Sequence, residues 1–409
     1  MPGKNMLQSN KSKILLIIIL HGTMFLFGFL EHIKGVSFPL IKNEFSVSYE
    51  TMGIMISILS IGYTLFIITS GFMLGNFGVK KIYFLSYILC LLAVVSVFFM
   101  PSFWAVTSSL FFLFAGFGVF EISINAVATQ IFLKRTALMM NLLHFTYGVG
   151  AITSPKIAGI LTDPNGTALH WRNIYFLTFP LIMIILIPMT FTRFPVLKNK
   201  ETENNSTPQK TRGFFSVLKT PSVWAFGITL GIMISVELSA SNWGGLYFQD
   251  MYGMDPTTKG ANYVSSFYIF FTLSRLLSGF LIEKIGYIRS LIGSIIISTA
   301  LYLIGFSLGP AGIYVLPFQG IFLGILWPTL LAVAIGYFGQ EAPLMTSGII
   351  AISGLVNSGL QVIMGYFNTW FGAGWGYRSC ILFDITLICL LFGVLRRMCN
   401  KVHQFTEPA

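Results

Sequence analysis

Glu31, His32 and Lys34 put a carboxyl, an imidazole and an ammonium within four positions of an otherwise apolar stretch, "FLFGFLEHIKGVSFP" (25–39). Burying an ion at the centre of a bilayer costs about 2.5–3.5 kcal/mol on insertion scales, so such groups face a partner or a watery cavity. Glu31 and Lys34, at i and i+3, share one helical face. Two readings follow: a permanent internal ion pair, or a switch in which Lys34 releases Glu31 or Glu121 when a solute or proton arrives. His32 points elsewhere on the helix and reads as a hydrogen-bonded structural histidine, with pH sensing as the alternative.

Other chemistry-bearing residues recur at helical spacing. Glu121 sits inside an apolar run with Asn125 one turn on; a carboxyl in a low-dielectric cavity is suited to exchanging protons. Glu237 opens "ELSASNWGG", which carries Asn242 and Trp243, an amide and an aromatic platform of the kind a sugar ring needs. His144 and Tyr147, Gln319 and Trp327, and Asn357 and Gln361 add polar and aromatic groups that serve either a cavity lining or interhelical hydrogen bonding. Arg275 is expected to pair with Glu283 or a helix terminus, and Lys156 to reach Asp163. Asp384 has no partner that the sequence reveals. Cys90, Cys380, Cys389 and Cys399 lack metal-ligand spacing and read as buried free thiols. No residue set resembles a metal or cofactor site, and no Walker loop, His-Glu-x-x-His or Gly-x-Ser-x-Gly elbow is present, so an enzyme is not expected.

The elements that must position these groups are membrane helices. The chain has 409 residues, 55% hydrophobic and 10% charged, with mean hydropathy +0.79, against roughly 25% charged for a soluble domain. Apolar runs long enough to cross a bilayer fall near 14–41, 52–75, 82–100, 103–133, 137–162, 172–192, 222–249, 261–283, 288–308, 311–338, 344–371 and 377–395. The polar stretch 193–221 divides them six and six, giving an N-terminal bundle (1–192), a cytoplasmic linker and a C-terminal bundle (222–409) with a short tail. The net charge of +11 lies in connections between apolar runs rather than in a patch, which excludes a nucleic-acid partner and fits topology. With the N-terminus inside, 18 Lys and Arg fall on the inner connections and four on the outer ones, so both termini are expected in the cytoplasm.

An internal repeat supports the division. "GFMLGNFGVKK" (71–81) matches "GFLIEKIGYIR" (279–289), each after the second span of its half. At an offset of 206 residues Glu31 falls on Glu237, Gly148 on Gly354 and Gly159 on Gly365. The loops read as gating hinges built on Gly71, Gly78, Lys80, Lys81, Gly279, Gly286 and Arg289. The expected fold is an all-α membrane protein of twelve transmembrane helices in two pseudo-symmetric six-helix bundles, with the ligand site near the midplane.

These glycine–cation loops resemble the signature of the major facilitator superfamily. More narrowly, "GFGVFEISINA" (116–126), "NLLHFTYGVGAITSPKIAGIL" (141–161), "WRNIY" (171–175), "VELSASNW" (236–243) and "GILWPTLLAVAIGYF" (324–338) resemble segments of the fucose–galactose–glucose proton symporter family. The likeness departs at the first span, where Glu31, His32 and Lys34 replace neutral polar groups and Gly35 stands at the family's aspartate. The resemblance implies proton-coupled import of a neutral monosaccharide by alternating access, with Glu121 as the coupling carboxyl; the residues' own placement adds Glu31, Glu237 and Lys34 as assisting groups. Polar and aromatic types at helical spacing give the expected substrate site among Asn125, His144, Tyr147, Asn242, Trp243, Gln319, Trp327, Asn357 and Gln361. No cofactor beyond the coupling ion, a proton or sodium, and no partner beyond the solute and the lipid bilayer is expected of a monomer in a bacterial cytoplasmic membrane. Sodium coupling, export of an organic metabolite and a non-transporting sensor are the alternatives.

Overall fold

The computed structural model describes residues 10–132, 136–195 and 214–395, and these are helical with no strand among them. They form twelve lengthwise spans. The N-terminal half contains Asn10–His32 continued by Lys34–Phe45, then Tyr49–Phe77, Val79–Phe99, Phe103–Ile131, Thr136–Thr162, and Trp171–Leu177 continued by Phe179–Phe191. The C-terminal half contains Pro221–Asn242 continued by Gly244–Tyr252, then Ala261–Leu277 with Gly279–Ile285, Tyr287–Ser307, a tenth span from Gly309 to Phe338 that opens in 3₁₀ turns, Ala342–Phe371, and Trp375–Arg378 leading into Cys380–Leu390. Among the described residues ten spans are long and apolar enough to cross a membrane. The fifth and eighth fall outside that test, and they carry much of the polar lining described below. Residues 196–213 of the linker, with Lys198, Lys200, Lys210 and Arg212 of the cations that set the expected topology, lie outside the described residues.

The repeat is visible in the packing. The first span packs on the fifth as the seventh does on the eleventh, and the second on the fourth as the eighth does on the tenth. Between halves, the second span runs along the eleventh and the fifth along the eighth. Glycines set these seams: a Cβ at Gly148 would overlap Thr272, and one at its repeat-mate Gly354 would overlap Thr64. Gly159 likewise lies against the Thr257 carbonyl, and Gly365 against Tyr49 and Gly53. The second glycine of each repeat loop ends a span at positive φ (Gly78 +77°, Gly286 +94°), a conformation that a side chain disfavours.

The first and seventh spans are each interrupted once, at Ile33 and at Trp243. Pro39 donates no N–H, which frees the carbonyl four residues back. That Gly35 carbonyl faces Gly245, whose missing side chain lets the spans approach. A girdle of exposed apolar side chains, including Ile18, Leu92, Ile184, Leu277 and Leu303, covers the outside of the bundle as hydrocarbon contact requires. Cys90 and Cys380 are buried free thiols, but Cys389 is exposed on this girdle, because it lies on the side of the twelfth span away from the ninth. Cys399 lies outside the described residues.

Candidate functional site

The two faces of the bundle differ. On the face that carries Asp250, the halves are joined: Lys42 Nζ of the first span stands 3.4 Å from Asp250 of the seventh, and Tyr49 Oη donates to Asp250 at 2.5 Å. Thr369 Oγ1 also donates to Glu50 there, linking the eleventh span to the second. On the opposite face, which carries Gly78 and Gly286, the loop glycines Gly71, Gly78, Gly279 and Gly286 have open space around them. A cavity of about 260 Å³ lies between the fifth, eighth and tenth spans, lined by Asn141, His144, Tyr147, Tyr268, Phe271, Thr272, Arg275 and Trp327. Its outermost lining residues sit near the Gly286-face ends of their spans, so the cavity belongs to that side.

A cluster of charges lies mid-membrane at the closed end of this space. Lys34 Nζ is 3.7 Å from Glu31 Oε1, with the lysine side chain 3% and the glutamate 14% exposed. The other Glu31 oxygen accepts from Tyr147 Oη at 2.6 Å. Tyr147 has a single proton and gives it to Glu31, so at its 3.1 Å contact with His32 Nε2 it accepts; His32 is therefore the Nε2–H tautomer. His32 Nδ1 is buried with no partner, and the ring packs on Tyr268 of the other half at 4.0 Å between centroids.

Across the interface Glu237 Oε1 pairs with Arg275 at 3.7 Å. Arg275 also donates from Nε to the Gly324 carbonyl at 3.1 Å and stacks over Phe271. Of the two expected partners, Glu283 is not met, since it lies two turns further along the eighth span and is exposed, whereas a helix terminus is, Gly324 being the C-cap of Gln319–Leu323. The Glu237 charge also acts on Lys34, and those of Glu31 and Arg275 act on Glu121. Glu121 itself is held by Asn125, whose Nδ2 donates to its backbone carbonyl at 2.8 Å and to its Oε1 at 3.1 Å. The centre therefore holds three acids and two bases, and each base has its own acid. Among the described residues Glu121 has the Asn125 amide and no ion pair, and Arg275 acts on it only at longer range.

Not all the candidate residues join this cluster. His144, Tyr147 and Trp327 line the cavity. Asn242, Trp243, Asn357 and Gln361 form a buried network of their own: Gln361 Oε1 accepts from Trp243 Nε1 at 2.8 Å and Asn242 Nδ2 at 3.3 Å, and Asn357 Oδ1 accepts from Ser235 Oγ at 2.9 Å and Gln361 Nε2 at 3.2 Å. Asn357 also donates to Ser60 across the halves at 3.2 Å. In this conformation these side chains hold one another, while Asn242 Oδ1 has no hydrogen-bond partner among the described residues. Gln319 is fully buried with neither amide atom partnered. Of the loop cations, Lys80 caps the sixth span by donating to the carbonyls of Thr190 and Thr192 at 2.8 and 2.9 Å, while Lys81 and Arg289 are exposed. Lys156 is also exposed and forms no ion pair with Asp163, which instead accepts from Asn165 N in its own turn.

Four participants were not singled out from the sequence as site residues: Arg275, Tyr268, and the pair Lys42 and Asp250. For Arg275 the signal was present, an arginine inside an apolar span with no acid at helical spacing towards the midplane. Lys42 and Asp250 read only as loop charges.

The comparisons agree with this architecture. The model of the Major Facilitator Superfamily matches residues 20–341. Among curated proteins, Bypass of stop codon protein 6 of Saccharomyces cerevisiae is 23% identical over 286 residues, which is 63% of this chain and 55% of that protein. The transporter FucP, solved in the outward conformation, superposes with a TM-score of 0.63 at 18% identity over 93% of this chain and 99% of that one. A bacterial homolog of the human lysosomal transporter Spinster, inward-facing and unoccupied, gives 0.76 at 14% identity over 98% and 100%. The family match, running through both halves and across the charge cluster between them, makes this chain a multi-pass membrane transporter of the Major Facilitator Superfamily.

Proposed function

We propose that the protein imports a small neutral solute, a monosaccharide foremost, by proton symport. The observation that carries this reading is the charge imbalance at the midplane: with Glu31 paired to Lys34 and Glu237 to Arg275, Glu121 is the acid left to be neutralised by a proton. An uncompensated carboxylate in hydrocarbon is costly, so protonation of Glu121 is the natural companion of any movement that strips water from the cavity. The cavity's aromatic walls (Tyr147, Tyr268, Trp327) with Asn141 and His144 suit a ring bearing hydroxyls and apolar faces. FucP, to which the fold is similar, is titled a fucose:proton symporter, which supports the same chemistry.

In this reading both termini are cytoplasmic, the membrane is the bacterial cytoplasmic membrane, and the Asp250 face is outside. The structure then corresponds to an inward-facing state, and the halves 1–192 and 222–409 of a monomer rock about the seams at Gly148 and Gly354 to alternate access. The test is uptake of a labelled monosaccharide panel into proteoliposomes under an inward proton gradient, with and without sodium, for wild type and Glu121→Gln. Concentrative uptake of a sugar, lost in the variant while counterflow exchange persists, supports the assignment. Uptake that follows sodium at fixed pH, or no sugar movement under either gradient, overturns the coupling or the substrate class respectively.

A further inference from the structure

Asp384 is fully buried in the twelfth span, away from the central cavity, where that span packs between the seventh and the ninth. No Lys, Arg or His among the described residues forms an ion pair with it. Among the described residues Oδ1 has no partner in full hydrogen-bond geometry, although the Ser298 hydroxyl lies beside the carboxyl. Oδ2 has one neighbour, Thr299 Oγ1, at 3.5 Å.

The identity of the donor in that contact is decided by Thr299. Its hydroxyl lies 2.8 Å from the Ile295 carbonyl, an oxygen that can only accept, so the single threonine proton goes there. With its proton committed there, Thr299 offers Asp384 only a long contact of 3.5 Å and little charge stabilisation. A carboxylate in this position would have no cation among the described residues and, besides Thr299, only the Ser298 hydroxyl beside it, an arrangement that burial penalises.

A second set of groups leads to the same place. Ser290, Ser294, Ser298 and Tyr302 recur every fourth residue along one stripe of the ninth span, and each is at most 8% exposed. Helical serines ordinarily bond a carbonyl of the preceding turn, as Thr299 does. The hydroxyls of Ser290, Ser298 and Tyr302 make no such bond; Ser298 lies beside the Asp384 carboxyl and Tyr302 beside the Cys380 thiol, none in full hydrogen-bond geometry among the described residues. They form a column of uncommitted donor–acceptor groups that begins at the Gly286 face and reaches the level of Asp384. The titratable groups around Asp384 are Tyr302 from the ninth span and Cys380 one turn away on its own. The seventh span brings Ser239 to the Cys380 thiol.

We propose that Asp384 is a proton-binding site, separate from the central charge cluster, held as the neutral carboxyl and reached from the Gly286 face along the hydroxyls of Ser290, Ser294 and Ser298. Loss of that proton leaves a bare charge between three helices of the C-terminal half, so its occupancy is tied to how those helices pack.

The chain has four aspartates, Asp163, Asp250, Asp255 and Asp384, which makes the test direct. The full protein in lipid is labelled with carbon-13 at the aspartate carboxyls, and their protonation is read by infrared spectroscopy or solid-state NMR at about pH 7. One neutral carboxyl signal, surviving in Asp163→Asn, Asp250→Asn and Asp255→Asn, is the expected result; four ionised aspartates overturn the proposal. The label does not report Glu31, Glu121 or Glu237, so the outcome is independent of the coupling assignment. The route is tested by hydrogen–deuterium exchange at the same signal: Ser294→Ala and Ser298→Ala slow it severalfold, and an unchanged rate overturns the column.

Discussion

Lys42 on the first span and Asp250 on the seventh meet at 3.4 Å across the two halves, 208 positions apart in the chain. With Tyr49 donating to the same carboxylate, this is a latch on the Asp250 face. The pair is partly solvated, about 18% exposed on each side, so its worth is that of a surface pair strengthened by a tyrosine, about 1–2 kcal/mol. Asp250→Asn is expected to shift the conformational balance towards opening of this face by about tenfold. Distances between spin labels placed on the loops 46–48 and 253–255 would report the shift, and an unchanged distribution would remove the latch from the mechanism.

Gly159 is expected to oppose closure of the same face when enlarged. A methyl there runs into the Thr257 carbonyl and the Ala261 side chain, and a backbone carbonyl cannot swing aside as a side chain end can. In Gly159→Ala, a cysteine introduced at Ser46 should react faster with an impermeant thiol reagent than it does with glycine retained, in a background free of native cysteines. Equal rates would mean that the fifth and eighth spans absorb the methyl locally.

Removing Lys34 alone should be far worse than removing it together with Glu31. Lys34→Met leaves Glu31 buried with only the Tyr147 hydroxyl, a loss on the order of 3–5 kcal/mol, whereas Glu31→Gln combined with Lys34→Met leaves a neutral, similarly shaped interior. A thermal-unfolding comparison of the two variants in detergent should show the double variant recovering most of the stability. Additive losses would argue against a pair.

The Asn357 network predicts a different pattern. Asn357→Ala withdraws one acceptor from Ser235 and Gln361 and one donor from Ser60, and membrane hydrogen bonds of this kind contribute about 0.6–1.7 kcal/mol each. A drop of a few degrees in unfolding temperature is expected, with Ser60→Ala giving a smaller one. If Asn357→Ala instead leaves stability intact and abolishes solute binding, the amide serves the solute after all.

Much of the scaffold could be read from the chain because its rules are local. Ten of the twelve spans pass a length-and-hydropathy test, and the Glu31–Lys34 contact follows from i,i+3 spacing. The repeat offset that pairs Gly148 with Gly354 anticipates two equivalent seams without any coordinates. The site resisted the same treatment. Arg275 and Glu237 stand on antiparallel neighbours, and only the crossing of the seventh and eighth spans decides that Glu237 rather than the nearer Glu283 is its partner. Trp243 shows the same limit: an indole in a polar helix suggests a sugar platform, and the chain does not reveal that its N–H is held by Gln361, a partner 118 positions away. Polar residues inside a membrane declare that they need partners, and the sequence does not say which.

The interruption of the first span at Ile33 divides it so that Lys34 and Lys42 share one short helix, with no loop between the charge at the midplane and the latch at the surface. Eight residues of helix span about 12 Å. A tilt of roughly 10° about the Lys34 end would therefore carry Lys42 sideways by about 2 Å over that length, enough to part it from Asp250. The segment acts as a lever arm whose fulcrum is the break: what happens to the charges deep in the protein is geared mechanically to the door above them, and the stiffness of a single helix, rather than any relay of side chains, sets how faithfully one follows the other.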